Sequence, residues 1–155
     1  MAIGSHCLRR VRTAAPTETV RAAAERMQAE HVGCLIVTEN ERPIGMLTDR
    51  DVALAILCDD LDPEQRRVRD VMGGPVVSVP LEASIEEAVV ALRRASVRRV
   101  VVVDGAGRPA GIFAADDLLR LLATEMGDLA EALRVQLSEP TGSARRGVAG
   151  ATSDA

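Results

Sequence analysis

The sequence predicts a mixed α/β (α+β) fold made of two copies of one β-α-β-β-α unit. The stretch at residues 45–51 (GMLTDRD) returns in a weaker form at residues 111–117 (GIFAADD), and 111 − 45 gives an offset of 66. The same offset also pairs Val37 with Val103, Arg42 with Arg108 and Pro43 with Pro109. Such self-similarity is typical of a repeat architecture. The two copies differ where chemistry is expected, because Thr48 of the first copy is Ala114 in the second.

Each copy is predicted to begin with an extended segment followed by an amphipathic helix. The extended segments lie at residues 11–14 and 76–79. In the first copy Thr19 is placed to cap a helix over residues 19–27, whose apolar residues recur at helical spacing. In the second copy Ser84 and Glu87 form a capping box, which marks the start of the equivalent helix.

A tight hairpin follows in each copy. Its first strand is a continuous apolar run rich in β-branched residues, which is typical of a strand buried on both faces. Polar and glycine-containing turns then reverse the chain. The predicted hairpin strands are 34–37 and 44–47 in the first copy and 100–103 and 110–113 in the second. A closing helix begins near Asp49 and near Asp116, which completes the β-α-β-β-α order.

These elements divide the chain into a first repeat, a connector, a second repeat, a C-terminal helix and a tail. The predicted bounds are 10–60, 61–75, 76–122, 123–138 and 139–155, respectively. Leucine and methionine residues recur at three- and four-residue spacing from Leu118 to Leu137, which predicts a long amphipathic helix, and Gly127 is a candidate break in it. The tail has no periodicity and is expected to be disordered.

Composition and charge exclude several classes of partner. The net charge is −4 with a pI near 5.2, whereas sequence-independent binding to nucleic acid or to anionic membranes needs a basic surface. The single aromatic residue, Phe113, offers no platform for base stacking. No apolar run is long enough to span a bilayer. We therefore expect a cytoplasmic protein that binds neither nucleic acid nor membranes.

The three cysteines predict no disulfide framework. Cys7, Cys34 and Cys58 lack the paired spacing of a disulfide-rich domain or a zinc ribbon, so reduced and mostly structural thiols are expected. Two His–Cys proximities, His31 with Cys34 and His6 with Cys7, leave open a metal site assembled from distant segments. The commoner use of a cysteine such as Cys34, which begins an apolar run, is as a small buried hydrophobe.

The tandem unit, with Gly45, Thr48 and Asp51 placed where the hairpin ends and the last helix begins, resembles the CBS domain, named after cystathionine β-synthase. Residues 45–51 fit the family's nucleotide motif G-h-x-T-x-x-D at every position, whereas the second copy lacks the hydroxyl. The resemblance covers residues 10–122 and implies a stand-alone pseudo-two-fold pair, or Bateman module. It further implies clefts between the repeats for adenosine-containing ligands, and homodimers that pair through their helices.

The residues of the motif suit such a ligand chemically. A Thr48 hydroxyl and free backbone N–H groups at a helix N-terminus form an anion site, and Arg50 lies within reach of the same phosphate. The Asp51 carboxylate can accept hydrogen bonds from ribose hydroxyls, while Gly45 would let the strand approach the ligand closely. The alternative reading is an ordinary threonine cap followed by acidic residues, Asp49 and Asp51. The tandem context favours binding.

Further site residues come from the family resemblance or from position. By analogy with the family, the adenine would lie against residues 11–14 and 33–35, and the candidates there are Thr13, Ala14, Gly33, Cys34 and Leu35. Asp117 is a weaker candidate, because it can equally stabilise a helix start. Arg98 and Arg99, at the entry to a buried strand, either reach phosphates in the cleft or are solvated at its rim.

The inventory of side chains argues against an enzyme, because no nucleophile has an evident base. The leading hypothesis is a regulatory sensor without a tightly bound cofactor, which binds AMP, ADP, ATP, NAD or S-adenosylmethionine and changes the shape or association of a homodimer. An effector protein is a further conceivable partner. The first alternative is a ligand-free interaction protein, and the second is a redox or metal sensor that uses Cys7, Cys34 and Cys58.

Overall fold

The computed structural model describes residues 3–5 and 11–138. The first repeat contains β1 (Thr13–Ala14), α1 (Val20–Glu30), β2 (Cys34–Glu39), β3 (Arg42–Thr48) and α2 (Asp49–Cys58). The second contains β4 (Ser78–Pro80), α3 (Ile85–Ala95), β5 (Arg99–Val103), β6 (Pro109–Ala114) and α4 (Ala115–Ser138). The predicted α+β fold and its β-α-β-β-α order are thereby confirmed. The predicted tail, His6 and Cys7 lie outside the described residues.

Each repeat has one three-stranded sheet with its central strand taken from the hairpin. The strand orders are β1-β2-β3 and β4-β5-β6. The first pair of each sheet is parallel and the hairpin pair is antiparallel. Consecutive buried residues in β2 and β5 agree with strands covered on both faces. None of the helices in the described part of the chain is long and apolar enough to cross a membrane.

The helix starts follow the predicted capping chemistry. Thr19 accepts a hydrogen bond from the Ala22 N–H at 3.2 Å. Ser84 and Glu87 form the reciprocal capping box, with Glu87 Oε2 accepting from the Ser84 N–H at 2.7 Å and Ser84 Oγ accepting from the Glu87 N–H at 3.1 Å. Helix α1 ends at His31 in the left-handed conformation, with φ of 53°. The position of His31 is therefore explained by the end of a helix.

The two repeats are related by two offsets. In the first hairpin Leu35 pairs with Leu47, whereas in the second Val100 pairs with Phe113. The offset is thus 100 − 35 = 65 before the turn and 113 − 47 = 66 after it. The predicted equivalence of Val37 and Val103 is wrong: Val37 lies opposite Gly45, and the residue opposite Gly111 is Val102.

The turn is the physical reason for this shift. In the first hairpin the turn consists of Asn40 and Glu41, both with positive φ (49° and 63°), as the tight turns that match strand twist require. The second turn spans residues 104–108 and uses Gly107 at φ 79°. Counted between equivalent pairs, four residues (39–42) separate Thr38 from its partner Pro43, and five (104–108) separate Val103 from Pro109. The second connection is therefore one residue longer.

Each repeat completes the core of the other. A 3₁₀ turn at Ile3–Ser5 precedes the first repeat, and another at Val68–Asp70 precedes the second. Ile3 is fully buried in the core of the second repeat, where its N–H donates to the Ala83 carbonyl at 2.8 Å. Val68 is fully buried in the core of the first, where its N–H donates to the Glu18 carbonyl at 2.9 Å. The predicted repeat bounds leave both turns outside the repeats.

A third, smaller cluster joins the two sheets. Ile36 of β2 packs with Val101 of β5 and Ile112 of β6. Partly buried side chains close this cluster: Val11, Cys34, Met46, Val76 and Val103. The sheets of the two repeats therefore share buried apolar surface.

Helix α4 is continuous through Gly127, so the predicted break is absent. A glycine in an exposed helix costs only about 1 kcal/mol relative to alanine. No atom lies within 4 Å of a Cβ placed at Gly127, so no tertiary contact requires the glycine. Residues up to Leu119 form one compact unit and a second unit begins at Arg120 within this helix.

Candidate ligand cleft between the repeats

A cleft of about 290 Å³ opens between the two repeats, just below the roughly 300–1,000 Å³ range of small-molecule sites. The first repeat contributes Met46, Thr48 and Asp51. The opposite wall is formed by residues 73–77 and 97–99. The cleft thus combines apolar walls with a carboxylate, a hydroxyl and two guanidinium groups.

Thr48 and Asp51 form a closed capping box at the start of α2. Oδ2 of Asp51 accepts hydrogen bonds from the Thr48 N–H at 2.9 Å and from the Thr48 hydroxyl at 2.7 Å. In return, Thr48 Oγ1 accepts from the Asp51 N–H at 3.1 Å. The other carboxylate oxygen, Oδ1, has no hydrogen-bond partner within the described part of the chain, so it can accept from a ligand.

The backbone N–H groups of the first turn of α2 are already used. The Asp49 N–H donates to the Gly33 carbonyl at 3.0 Å, and the Arg50 N–H donates to Asp49 Oδ1 at 2.8 Å. The Asp51 N–H is occupied by Thr48. The prediction of free N–H groups for a phosphate is therefore wrong, because side chains and the neighbouring loop satisfy them locally.

Positive charge in the cleft comes from Arg98 and Arg99. Nη2 of Arg98 lies 3.3 Å from Oδ1 of Asp116, and both side chains are exposed. An ion pair of this kind contributes little, typically about 0–1 kcal/mol, so it does not hold the guanidinium back from an anionic ligand. Both arginines lie on the rim where the second repeat meets the cleft.

The Cys34 thiol lies near this charged region but is not activated. Burial raises the pKa of Cys34; the nearby Arg99 guanidinium partly lowers it, and the Asp49 carboxylate raises it further. A thiol with a raised pKa is mostly protonated at neutral pH and is a poor nucleophile or metal ligand.

Gly45 does not line the cleft, but it allows two backbone segments to pack closely beside it. A Cβ at this position would lie 2.5 Å from Sδ of Met72 and 3.1 Å from the Gly73 carbonyl oxygen. Gly73 pairs with Met46 through two backbone hydrogen bonds of 2.9 Å. The absence of a side chain at Gly45 therefore lets the connector approach β3 and form one wall of the cleft.

Several predicted residues do not line this cleft. Asp49 and Arg50 are exposed beside it, and Asp49 lines a different groove between α1 and α2. The predicted adenine wall also lies elsewhere, since none of Thr13, Ala14, Gly33, Cys34 and Leu35 is among the lining residues. At the offset of 65, residues 11–12 and 32–34 correspond to 76–77 and 97–99, which do line it.

The motif of the first repeat is thus completed by segments of the second. The family analogy pointed to a wall from the same repeat, but the pairing of the sheets brings the other repeat opposite α2. The signal that could have identified Val76 and Val77 is the repeat offset itself, applied to residues 11–14. Val97 corresponds to Val32, the neighbour of the assigned residues 33–35.

Asp117 reproduces half of the capping box in the second repeat. Its Oδ2 accepts from the Ala114 N–H at 3.0 Å, as Asp51 does from Thr48. Ala114 has no hydroxyl to offer. At the offset of 65, residues 73–75 of the first cleft correspond to residues 8–10, which the structure does not describe. Asp117 therefore remains a candidate for a second cleft.

A metal site receives no support from the described residues. In residues 3–5 and 11–138, no group of three or more His, Cys, Asp or Glu side chains is placed to hold a metal ion. His31 is an exposed helix cap, and Cys58 is exposed near the end of α2. The predicted His6 and Cys7 contribution lies outside this part of the chain.

The fold and the cleft define a class of protein, in which two copies of an α/β unit enclose a cleft between them. The family model of the CBS domain matches residues 3–58 and 68–124. The chain therefore belongs to the CBS domain family and contains two tandem copies. The matched ranges begin at Ile3 and Val68, the two residues that each repeat inserts into the core of the other.

Comparison with individual proteins supports this assignment. Hypoxic response protein 1 of Mycobacterium tuberculosis is 35% identical over 106 residues, which are 68% of this chain and 73% of that protein. The structure of Hypoxic Response Protein I, solved with two coordinated zinc ions, has a TM-score of 0.66 at 29% identity and covers 77% of this chain and 98% of its own. Protein MK0525 of Methanopyrus kandleri is 32% identical over 78% of this chain, but the match spans only 62% of that protein.

A more distant structure shares the fold. The CBS domain pair of protein MJ0100, solved in complex with 5′-methylthioadenosine and S-adenosyl-L-methionine, has a TM-score of 0.67 at 18% identity. The match covers 79% of this chain and 99% of that one. This level of identity supports the fold alone.

Proposed function

We propose that the protein is a regulatory CBS pair that binds an adenosyl ligand in the cleft between its repeats and performs no catalysis. The observation that carries the proposal is Asp51, which lines the cleft with one carboxylate oxygen held by Thr48 and the other without a partner among the described residues. The complex of the MJ0100 pair with adenosyl compounds is consistent with this ligand class.

The chemistry of the cleft suggests which of its residues contact the ribose, the adenine and the phosphate of the ligand. Oδ1 of Asp51 accepts a hydrogen bond from the ribose, because a charged acceptor forms the stronger kind of hydrogen bond. The adenine ring lies against apolar side chains, for which Met46, Val76 and Val97 are the candidates. A phosphate lies at the rim with Arg98 and its neighbour Arg99.

This arrangement favours an anionic ligand over a neutral one. Two guanidinium groups at the rim provide bidentate donors for a phosphate, whereas the occupied first turn of α2 does not. AMP, ADP and ATP are accordingly the preferred ligands within the adenosyl class. NAD and S-adenosylmethionine remain ligands to be tested beside them.

A regulatory role without catalysis agrees with the reactivity of the described residues. The Cys34 thiol has a raised pKa, and His31 caps a helix outside the cleft. A ligand can regulate only through different affinities for two states of the protein. We propose that those states belong to a homodimer. Exposed apolar side chains occur both on α2, where Leu57 is 78% exposed, and along α4.

A thermal-shift screen with AMP, ADP, ATP, NAD, S-adenosylmethionine and adenosine tests the proposal. A ligand that binds only the folded state at 100 times its Kd adds about 2.7 kcal/mol of stability, which raises the Tm on the order of 10 °C. A flat response to all six compounds at millimolar concentration would contradict the proposal. That result would favour the competing function, a ligand-free interaction protein, for which the exposed apolar stripe of α4 is the supporting observation.

A further inference from the structure

Helix α4 extends beyond the CBS repeat. The family match ends at residue 124, whereas the helix continues to Ser138. Every residue from Leu122 to Leu137 is exposed. A single exposed helix of this length is marginal in water, because helices in proteins are stabilised mainly by packing of an amphipathic face. A partner that packs against its apolar face would therefore stabilise the extension.

Five exposed apolar residues of α4, from Leu119 to Leu133, follow a heptad pattern. Their spacing is three, four, three and four residues, and each is between 49% and 70% exposed. We call this set the α4 seam: Leu119, Leu122, Met126, Leu129 and Leu133. Alternating a and d positions of this kind are typical of a helix that packs against another helix in a coiled coil.

The positions around the seam suit pairing with an identical helix. The charged residues Arg120, Asp128, Glu131 and Arg134 fall at b, c and f positions, away from the seam. The e and g positions that flank it from residue 123 onward are Ala123, Glu125, Ala130, Ala132 and Leu137. Because only one of these five is charged, a second copy brings no rows of like charges together. The seam is therefore self-complementary.

The composition of residues 139–155 does not suit a segment that covers the seam. Residues 139–155 contain no Leu, Ile, Met or Phe, and their apolar residues are alanines and one valine. Such a segment cannot provide the large side chains that fill the holes of a coiled coil.

The exposed area of the seam is near the lower limit for a specific dimer interface. Burying a Leu or Met side chain removes about 100 Å² of apolar surface from water, so five side chains exposed by roughly 60% give about 600 Å² over two copies. Apolar atoms contribute about 65% of the area of homodimer interfaces, so the whole interface would bury on the order of 900 Å². This is slightly below the lower limit of about 1,000 Å² for a specific interface, so the dimer is expected to be weak.

We infer that the α4 seam forms a coiled coil with the α4 seam of a second copy of this chain. The inference names the contact surface of the proposed homodimer and does not depend on the ligand. It places the contact on the end of the second repeat and on the extension beyond residue 124, which the family match does not cover.

Sedimentation velocity of the full chain from about 1 to about 200 μM tests the inference. Met126→Asp with Leu129→Asp should raise the dimerisation Kd at least about 100-fold, because the new carboxylates would have to be desolvated in the seam. The matched control, Thr124→Asp with Val135→Asp, adds the same charge to the other faces of the helix and should leave the Kd unchanged. Gln136→Leu extends the seam by one d position and should lower the Kd about tenfold.

Three results would overturn the inference: a monomeric wild type at 200 μM, equal dimerisation by the Met126/Leu129 variant and its control, or loss of the dimer in Leu57→Asp alone. The Gln136→Leu variant keeps the test decisive even where the aspartates disturb folding. Thermal shifts with AMP on the same proteins separate the two proposals. A dimer that depends on the seam but never responds to AMP or any other adenosyl compound supports the inference and contradicts the proposed function.

Discussion

Replacing Asp51 by alanine should weaken the binding of any ribose-containing ligand far more than replacing Asp117, its counterpart in the second repeat. Oδ2 of Asp51 is engaged by Thr48, so the ligand depends on Oδ1. One hydrogen bond to a charged acceptor contributes about 1.5–3 kcal/mol, which corresponds to a roughly 10- to 150-fold loss of affinity.

The Asp117→Ala variant is a matched control for the helix cap. Both aspartates accept a hydrogen bond from the backbone N–H three residues earlier, at 2.9 Å from Thr48 and 3.0 Å from Ala114. Each alanine variant therefore loses a cap and should lose about 0.5–2 kcal/mol of stability. A difference between them in ligand affinity then reports on the cleft and not on the fold.

Isothermal titration calorimetry well below the Tm of both variants measures this difference. The expected result is a large rise in Kd for Asp51→Ala and a small one for Asp117→Ala. An equal loss in both variants, or a larger loss in Asp117→Ala, would show that the ligand occupies a different cleft from the one assigned to it.

Three further predictions follow from the same geometry. AMP should bind more tightly than adenosine, and this difference in affinity should narrow as the salt concentration rises. Calorimetry on the double variant Arg98→Ala, Arg99→Ala should show no difference in affinity between the two ligands. An unchanged difference in that variant would place the phosphate elsewhere. Ile3→Ala should cost about 2–5 kcal/mol in urea unfolding, because it leaves a cavity in the core of the second repeat; a loss below about 0.5 kcal/mol would contradict that packing. Gly45→Ala should lower both Tm and ligand affinity, since its Cβ would collide with Met72 and displace the connector, and unchanged affinity would rule out the connector as a cleft wall.

Local chemistry made the helices predictable. Thr19 and the Ser84–Glu87 pair cap helices in the structure as the sequence indicated, because capping depends on residues within one turn. The register of the strands was harder to predict from the sequence. Residues 100–103 are all valine, so side chains alone do not distinguish one register from the next. The longer turn sets the register, and its extra residue is visible only when both hairpins are paired.

The candidate site was half predictable for a similar reason. Thr48 and Asp51 form a contiguous motif and line the cleft. The opposite wall is distant in sequence and depends on how two sheets pack, which Ile36 and Val101 determine from within the structure. Ile3 gave no sequence signal, since a three-residue turn has no periodicity to detect.

The exchange of the turns at Ile3 and Val68 bears on how such a tandem protein can arise. A single repeat would have a gap in its core at the place where the leading turn of another copy is inserted, so a lone unit would be completed only by a second chain. Joining two units in one chain replaces that encounter with an intramolecular one, at an effective concentration of about millimolar for a short linker. Residues 59–67 connect the two halves in this way. Duplication thus converts an obligatory partnership between chains into a property of one chain, and the cleft between the halves comes with it.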